Sequence, residues 1–209
     1  MMTLGVYFIC VFMPVSIAAA LLEVLRRPVP KWLTWTGIVS AFCVAAYTGF
    51  LLGVVSAYPL WNNAILPVLF VVSALSAGLA ATSLVGLITD RERFEQMWLI
   101  KKSHVILSAI EMVVLATMLK VVSSGSPEGA ASVASLVSGQ YAPMFWGGLV
   151  LLGLVAPFAI EGYPVFVTRK VETSTTSMVV SVIGEGGVLV GGFMLRLLVI
   201  LAALPVLYL

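Results

Sequence analysis

The sequence contains few of the residues that bind metal clusters and haem. It has two cysteines and one histidine in 209 residues. Cys10 and Cys43 lie in long apolar runs and neither belongs to a Cys-x-x-Cys pattern, which argues against an iron–sulfur or zinc site. His104 alone cannot supply both axial ligands of a bis-histidine haem. We therefore predict no haem, iron–sulfur cluster or metal ion in this chain, so any such redox centre would belong to a partner.

Charged residues are also scarce. They make up 10% of the sequence, against 61% hydrophobic residues, and the mean hydropathy is +1.15. This composition is typical of a polytopic membrane protein and excludes a soluble globular one. The net charge of +2 gives no reason to expect a nucleic-acid partner. The initial MMTLGVYF has no basic residue, so we expect no cleavable signal peptide.

Long apolar runs dominate the rest of the chain. A run of about 20 residues is needed for a helix to cross a bilayer, and six runs of that order occur. No internal repeat or soluble domain is visible. We therefore predict an all-α, polytopic membrane helix bundle that forms a single domain over residues 1–209. The predicted helices are residues 4–25, 33–57, 65–89, 103–122, 143–167 and 178–204.

Basic residues are concentrated in the odd-numbered loops between these helices. Nine of the eleven lysines and arginines lie there, in the first, third and fifth loops. The positive-inside rule places these loops in the cytoplasm and both termini outside. We accordingly expect a multi-pass protein of the bacterial inner membrane.

Two loops are predicted to contain short helices. Residues 89–102 mix charged and aromatic side chains, which is typical of a helix lying at the cytoplasmic interface. On the outer side, Ser126 is a predicted N-cap, Pro127 occupies a first helical position and Gly139 is a predicted stop.

Three glutamates lie within the predicted spans, where an ionisable group is costly. Glu111, Glu161 and Glu185 are all about 9–12 Å from the cytoplasmic surface by the helical rise. They are predicted either to form a proton path or to be hydrogen-bonded carboxyl groups that hold the helices together. His104, at the start of the fourth predicted helix, is interpreted as a surface residue rather than a proton relay.

Arg196 lies in the outer half of the last predicted helix. It is about 16 Å along the axis from Glu185, so these two residues cannot pair within the helix. Arg196 must therefore face another helix, a cavity or the interface. Tyr47 reaches a similar depth in the second predicted helix, and the two side chains are predicted to border a common pocket.

The stretch YTGFLLGVVSAYPLWNN, residues 47–63, leads from that depth to the outer surface. Its Gly49-x-x-x-Gly53 spacing is predicted to let another backbone approach closely. Trp61 marks the aromatic belt of the interface, and Asn62 can hydrogen-bond to a docked group. The stretch indicates a site at the membrane edge; the alternative is that its aromatic residues are only interfacial anchors.

The order and spacing of these motifs resemble the NrfD / polysulfide-reductase membrane-anchor family. The resemblance is carried by YTGFLLGVVSAYPLWNNAILPVLFVVSALSAG, a charged cytoplasmic loop and GGVLVGGFMLR in the last helix. It implies a quinone-binding or non-catalytic membrane subunit of a respiratory iron–sulfur/molybdopterin-type oxidoreductase. Such a subunit exchanges electrons between menaquinone or ubiquinone and a ferredoxin-like iron–sulfur subunit, in a hetero-oligomer with a catalytic subunit, in some cases with proton transfer.

The resemblance also implies site residues. Tyr47 matches the family's buried tyrosine, Trp61 and Asn62 match its surface exit, and Arg196 matches the arginine of the last helix, so these four are the candidate quinone-binding residues. The iron–sulfur partner is expected to dock on the outer face over residues 58–64 and 140–146.

The match begins at what resembles the third of the family's eight helices. The first two, which supply polar quinone ligands, are expected to be missing, so a neighbouring subunit would complete the pocket. The alternatives are a purely structural anchor of such a complex and a small ion or solute transporter. The absence of an internal repeat counts against a transporter.

Overall fold

The computed structural model describes residues 2–89, 98–163, 166 and 175–204, and every regular element within these ranges is helical. Six segments are long and apolar enough to cross a membrane, which confirms the predicted all-α polytopic bundle. The single domain and the orientation stay predictions. The elements are α1 (Met2–Val24), α2 (Lys31–Gly53), α3 (Ile65–Thr89), α4 (Trp98–Gly125), α5 (Pro127–Val137), a π-helix (Met144–Val155) that continues as α6 (Ala156–Tyr163), and α7 (Thr175–Leu201).

Two predicted boundaries were wrong by several residues. α2 ends at Gly53 rather than at residue 57, because residues 58–61 form a turn in which Trp61 N donates to Tyr58 O at 2.9 Å. That turn carries Leu60 into the core, where it is fully buried. α4 begins at Trp98 rather than at residue 103. The remainder of the interfacial helix predicted over 89–102, residues 90–97, lies outside the described residues.

The short helix predicted on the outer side is confirmed as α5. Its first turn is capped by Ser126, whose Oγ accepts a hydrogen bond from Gly129 N at 3.0 Å. Pro127 occupies the first helical position, where its missing N–H costs nothing. The chain turns after Val137, and a Cβ on Gly139 would lie only 2.7 Å from Ser135 Cα, so the turn favours glycine there.

Four spans surround the core. α3 packs against α4 and α7, and the π-helix and α6 close the ring by packing against α7 and α4. The core between them consists of leucine, methionine and phenylalanine side chains, among them Leu66, Met118, Phe145 and Leu195. α5 lies on α4, while α2 packs on α3 and α1 packs on α2. Only 6% of the α1 span is buried, against 50% of the α7 span, so α7 is central and α1 peripheral.

Glycines allow the closest helix contacts. A Cβ on Gly49 would lie 2.4 Å from Pro67 Cα, which confirms the close approach predicted there, whereas a Cβ on Gly53 would make only ordinary contacts. The tightest crossing is between Gly191 of α7 and Gly153 of the π-helix, where a Cβ on Gly191 would lie 2.3 Å from Gly153 Cα. The glycines of the last helix are therefore a packing face, as predicted.

Candidate functional site: two buried polar clusters and an outer groove

Three ionisable side chains from three helices meet near the N-terminal end of α7. His104 of α4, Glu161 of α6 and Glu185 of α7 are each 1% exposed. His104 Nδ1 lies 3.5 Å from Glu161 Oε2, and His104 Nε2 lies 3.4 Å from Glu185 Oε2. We call these three residues the inner cluster. Glu161 and Glu185 were predicted to lie at one depth on neighbouring helices, and their shared contact with His104 agrees with this.

The interpretation of His104 as a surface residue was wrong. Because α4 begins at Trp98, His104 lies nearly two turns inside the helix rather than at its start. The sequence did contain a signal for its burial. His104, Ser108 and Glu111 are spaced i, i+4 and i+7, which places them on one face of a helix, and all three are buried. A polar stripe on an otherwise apolar span faces the interior of the bundle.

Glu111 belongs to a different group of side chains. It is 4% exposed and interacts electrostatically with Ser73 of α3 and Arg196 of α7. Arg196 Nη1 donates to Gly192 O at 2.6 Å, and its Cζ lies 5.6 Å from the centre of the Phe70 ring. The arginine side chain therefore folds back by one helical turn toward the depth of Glu111. We call these two residues the Glu111–Arg196 pair.

The three glutamates thus divide between two clusters. Glu111 is seven residues after His104 on α4, which corresponds to about 10 Å along the helix axis. Buried hydroxyl groups lie at intermediate positions, on Ser108 of α4 and on Ser73 and Ser76 of α3. Within the described part of the chain, Ser73 Oγ and Ser76 Oγ make no well-formed hydrogen bond. A buried, unsatisfied hydroxyl is a natural site for an ordered water molecule.

Tyr47 packs against α1. Its ring lies edge-on to Phe8, with ring centres 6.5 Å apart, and it fills the space beside Gly5, where a Cβ would collide with the phenol ring. Arg196 instead faces Phe70 of α3 and Glu111 of α4. The described contacts therefore place Tyr47 and Arg196 against different helices, and their common pocket stays a prediction.

Trp61 joins the α2–α3 loop to α7. Its Nε1 donates to Val199 O at 2.7 Å, and its ring stacks on Tyr58 with centres 4.3 Å apart. A buried indole N–H needs such a partner. This contact holds the loop over the end of the bundle, which is a positioning role.

A groove of about 350 Å³ lies beside this loop, between it and the junction of α4 and α5. Its lining includes Pro59, Asn62, Asn63, Val121 and Ser126. Asn63 Oδ1 accepts a hydrogen bond from Ile65 N at 2.9 Å, which fixes the side chain at the start of α3. Its Nδ2 is buried and has no hydrogen-bond partner among the described residues. We call this feature the outer groove; its walls are uncharged and offer amide and hydroxyl groups.

A second groove, of about 330 Å³, runs between α2 and α3. Its walls are entirely apolar and include Ile38, Phe42, Val71 and Leu75. A groove of this composition suits a hydrocarbon chain rather than a polar headgroup.

The family profile described as "Polysulphide reductase, NrfD" matches residues 2–207. The chain belongs to the NrfD family. It is 28% identical over 166 residues to "Protein NrfD homolog" of Haemophilus influenzae, covering 78% of this chain and 50% of that protein. It is 32% identical over 128 residues to the C chain of polysulfide reductase from Wolinella succinogenes, covering 59% and 40%. "Protein NrfD" of Escherichia coli is 29% identical over 182 residues, covering 85% and 54%.

This match confirms the family predicted from the sequence motifs and agrees with a multi-pass membrane protein. The NrfD-family chain spans about half the length of the curated relatives it matches. No solved structure matches it.

Proposed function

We propose that this NrfD-family chain is a membrane subunit of an oxidoreductase complex, through which electrons pass between a membrane quinone and a partner iron–sulfur subunit with accompanying proton transfer. Family membership supports a membrane role in such a complex. The Wolinella succinogenes relative is named as one lettered chain of a polysulfide reductase, which describes a multi-chain enzyme. The outer groove, with its unpaired Asn63 amide, is the observation that carries the quinone part of the proposal.

The outer groove offers the groups that a quinone headgroup requires. A quinone carbonyl is a hydrogen-bond acceptor, and Asn63 Nδ2 is a buried donor that lacks an acceptor among the described residues. The exposed Asn62 amide lies at the same groove, and Trp61 would position this loop through its bond to α7. When bound, menaquinone or ubiquinone would supply two-electron, two-proton redox chemistry. The apolar groove between α2 and α3 suits an isoprenoid tail.

The buried clusters would carry the protons. We propose that Glu161, Glu185 and Glu111 serve proton movement from the predicted cytoplasmic side, with Arg196 as the counter-charge of Glu111. From Glu111 to Val121, at the outer groove, α4 rises about 15 Å, so ordered water must complete the path. Tyr47 stays a candidate quinone contact, although it does not line the outer groove.

Two further chains would complete the complex. The iron–sulfur subunit is expected to dock over residues 58–64 and 140–146, with a catalytic subunit beyond it, in a bacterial inner membrane. Trp146 is 49% exposed and its Nε1 donates to Val137 O at 2.9 Å, which fixes an apolar ring at this surface. Asn62 is exposed at the same end of the bundle. Fixed aromatic rings with few charges suit the core of a protein interface.

The test removes the amide donor from the groove. Asn63→Ser keeps an oxygen that can accept from Ile65 N and loses Nδ2. We expect the kcat/KM for quinol to fall several-fold in the isolated complex, because one neutral hydrogen bond contributes about 0.5–1.5 kcal/mol. Dye-linked activity of the soluble partners should not change.

Ser138→Ala is the matched control, because Ser138 Oγ lies at the same end and bonds only to Ala134 O of its own helix. Quinol turnover that is equal in wild type and Asn63→Ser, in a fully assembled complex, would contradict a headgroup site in the outer groove.

A purely structural anchor is the second candidate. It is favoured by the bonds of Trp61 and Arg196, two predicted quinone-binding residues, to the backbone of α7 at Val199 and Gly192. In that case substitutions at Trp61 and Arg196 should lower the yield of assembled complex without altering the quinol kinetics of the complex that remains.

A further inference from the structure

The inner cluster has the composition and spacing of a metal site. One imidazole and two carboxylates can each offer a ligand atom such that all three atoms lie within 4.8 Å of one another. A tetrahedral ion with bonds about 2.1 Å long places its ligand atoms about 3.4 Å apart. The two closest approaches in the cluster, His104 to Glu161 at 3.5 Å and His104 to Glu185 at 3.4 Å, already have this length. Rotation of one carboxylate would bring the third pair into range.

An independent observation indicates that the cluster can accept a ligand. Both imidazole nitrogens of His104, and Glu185 Oε2, are buried without a hydrogen-bond partner in the described part of the chain. Buried polar atoms are nearly always paired with protein, water or an ion. The imidazole also interacts with the backbone of Ser76, the kind of outer contact that orients a metal-bound histidine.

Charge balance favours a divalent cation. As metal ligands, the two carboxylates are ionised and the imidazole is neutral, so the ligand set carries two negative charges. Such a charge is costly in the interior of a membrane bundle, where all three side chains are 1% exposed. One divalent cation neutralises it completely. The imidazole selects Zn²⁺ and similar transition metals over Mg²⁺ and Ca²⁺, which prefer oxygen ligands and higher coordination numbers.

We propose that His104, Glu161 and Glu185 form a binding site for a divalent transition-metal ion, with Zn²⁺ as the best-suited probe. The ion would join α4, α6 and α7 at one point. It would also occupy two of the carboxylates assigned above to proton movement, and would therefore slow turnover of the complex. Binding itself does not depend on the proposed function, whereas the slowing of turnover rests on it.

Zn²⁺ retention by the tag-free chain, purified in detergent with any partners that co-purify, tests the site. The protein is loaded with Zn²⁺, passed over a chelating resin and analysed for metal by mass spectrometry. We expect about one Zn²⁺ per chain, and an X-ray absorption spectrum with a nitrogen/oxygen shell at about 2.0–2.1 Å that contains one imidazole. Glu185→Gln should weaken binding by about 100-fold or more, since even outer-contact changes at metal sites cost 10–100-fold.

Glu111→Gln is the matched control for binding. It removes a buried carboxylate from α4 that lies outside the inner cluster, so it should retain one Zn²⁺ per chain. Failure of the wild-type chain to retain Zn²⁺ overturns the proposal whatever the variants do, and so does equal retention by Glu185→Gln. If Zn²⁺ binds as expected and quinol turnover is unaffected, the metal site stands and the proton role of the inner cluster fails.

Discussion

Replacing Gly191 by alanine is expected to separate α7 from the π-helix. The new methyl carbon would lie 2.3 Å from Gly153 Cα, whereas two carbon atoms in van der Waals contact are at least about 3.5 Å apart. The two helices must therefore move apart by about 1.2 Å at their crossing. Because both are backbone atoms, no side chain can rotate to relieve the overlap, and the packing of the core around Leu149 and Leu195 is disturbed.

The energetic effect can be isolated by comparison with Gly186→Ala. A Cβ on Gly186, in the same helix, would have nothing within 4 Å. Both changes gain the same intrinsic helix propensity, so this term cancels between them. We expect Gly191→Ala to have a free energy of unfolding about 1–3 kcal/mol lower than Gly186→Ala, which is the usual cost of overpacking a core.

Equilibrium unfolding in mixed detergent micelles, followed by far-ultraviolet circular dichroism, measures this difference. The same experiment on Gly187→Ala, whose methyl carbon would lie 2.5 Å from Leu152 O, should give a loss of similar sign. If Gly191→Ala is as stable as Gly186→Ala, the close crossing of α7 and the π-helix is refuted.

Two further predictions concern the outer end and the orientation. Trp61→Phe, which removes the bond to Val199 O, should lower the free energy of unfolding in the same assay by about 1 kcal/mol; an unchanged value would mean that the loop is not docked on α7. In a background with both native cysteines replaced by alanine, Asn62→Cys should react with an impermeant maleimide in intact cells whose outer membrane is permeable. Arg27→Cys should react only after the inner membrane is opened, and the reverse pattern would reject the predicted topology.

The apolar runs were sufficient to predict the six spans, because a bilayer requires a nearly continuous run of apolar residues. Turn and cap chemistry likewise predicted α5 from Ser126 and Pro127. The π-helix was not predictable in this way. Residues 144–155 have the same apolar composition as an α-helical span, and the wider hydrogen-bond pattern depends on tertiary packing against α7.

The site was predicted less completely than the fold. Depth along each helix correctly indicated that Glu161 and Glu185 lie level with one another. It could not show which face each residue occupies, so Glu111 was grouped with them although its side chain faces Arg196. The depth of Arg196 itself was misjudged, because a long side chain carries its charge a full turn away from its Cα. His104 was missed because one residue of α4 was considered apart from its polar stripe.

The crossing of Gly153 and Gly191 also sets the height of two carboxylates. Glu185 is six residues from the crossing on α7, about 9 Å along the axis, and Glu161 is eight residues from it on the neighbouring span. The first part of that second segment is π-helix, which fits more residues into each turn and so advances less per residue. The shorter advance compensates for the two extra residues and brings Glu161 level with Glu185. The alignment of a buried charged site near one side of the membrane is thus determined by a backbone contact closer to the other.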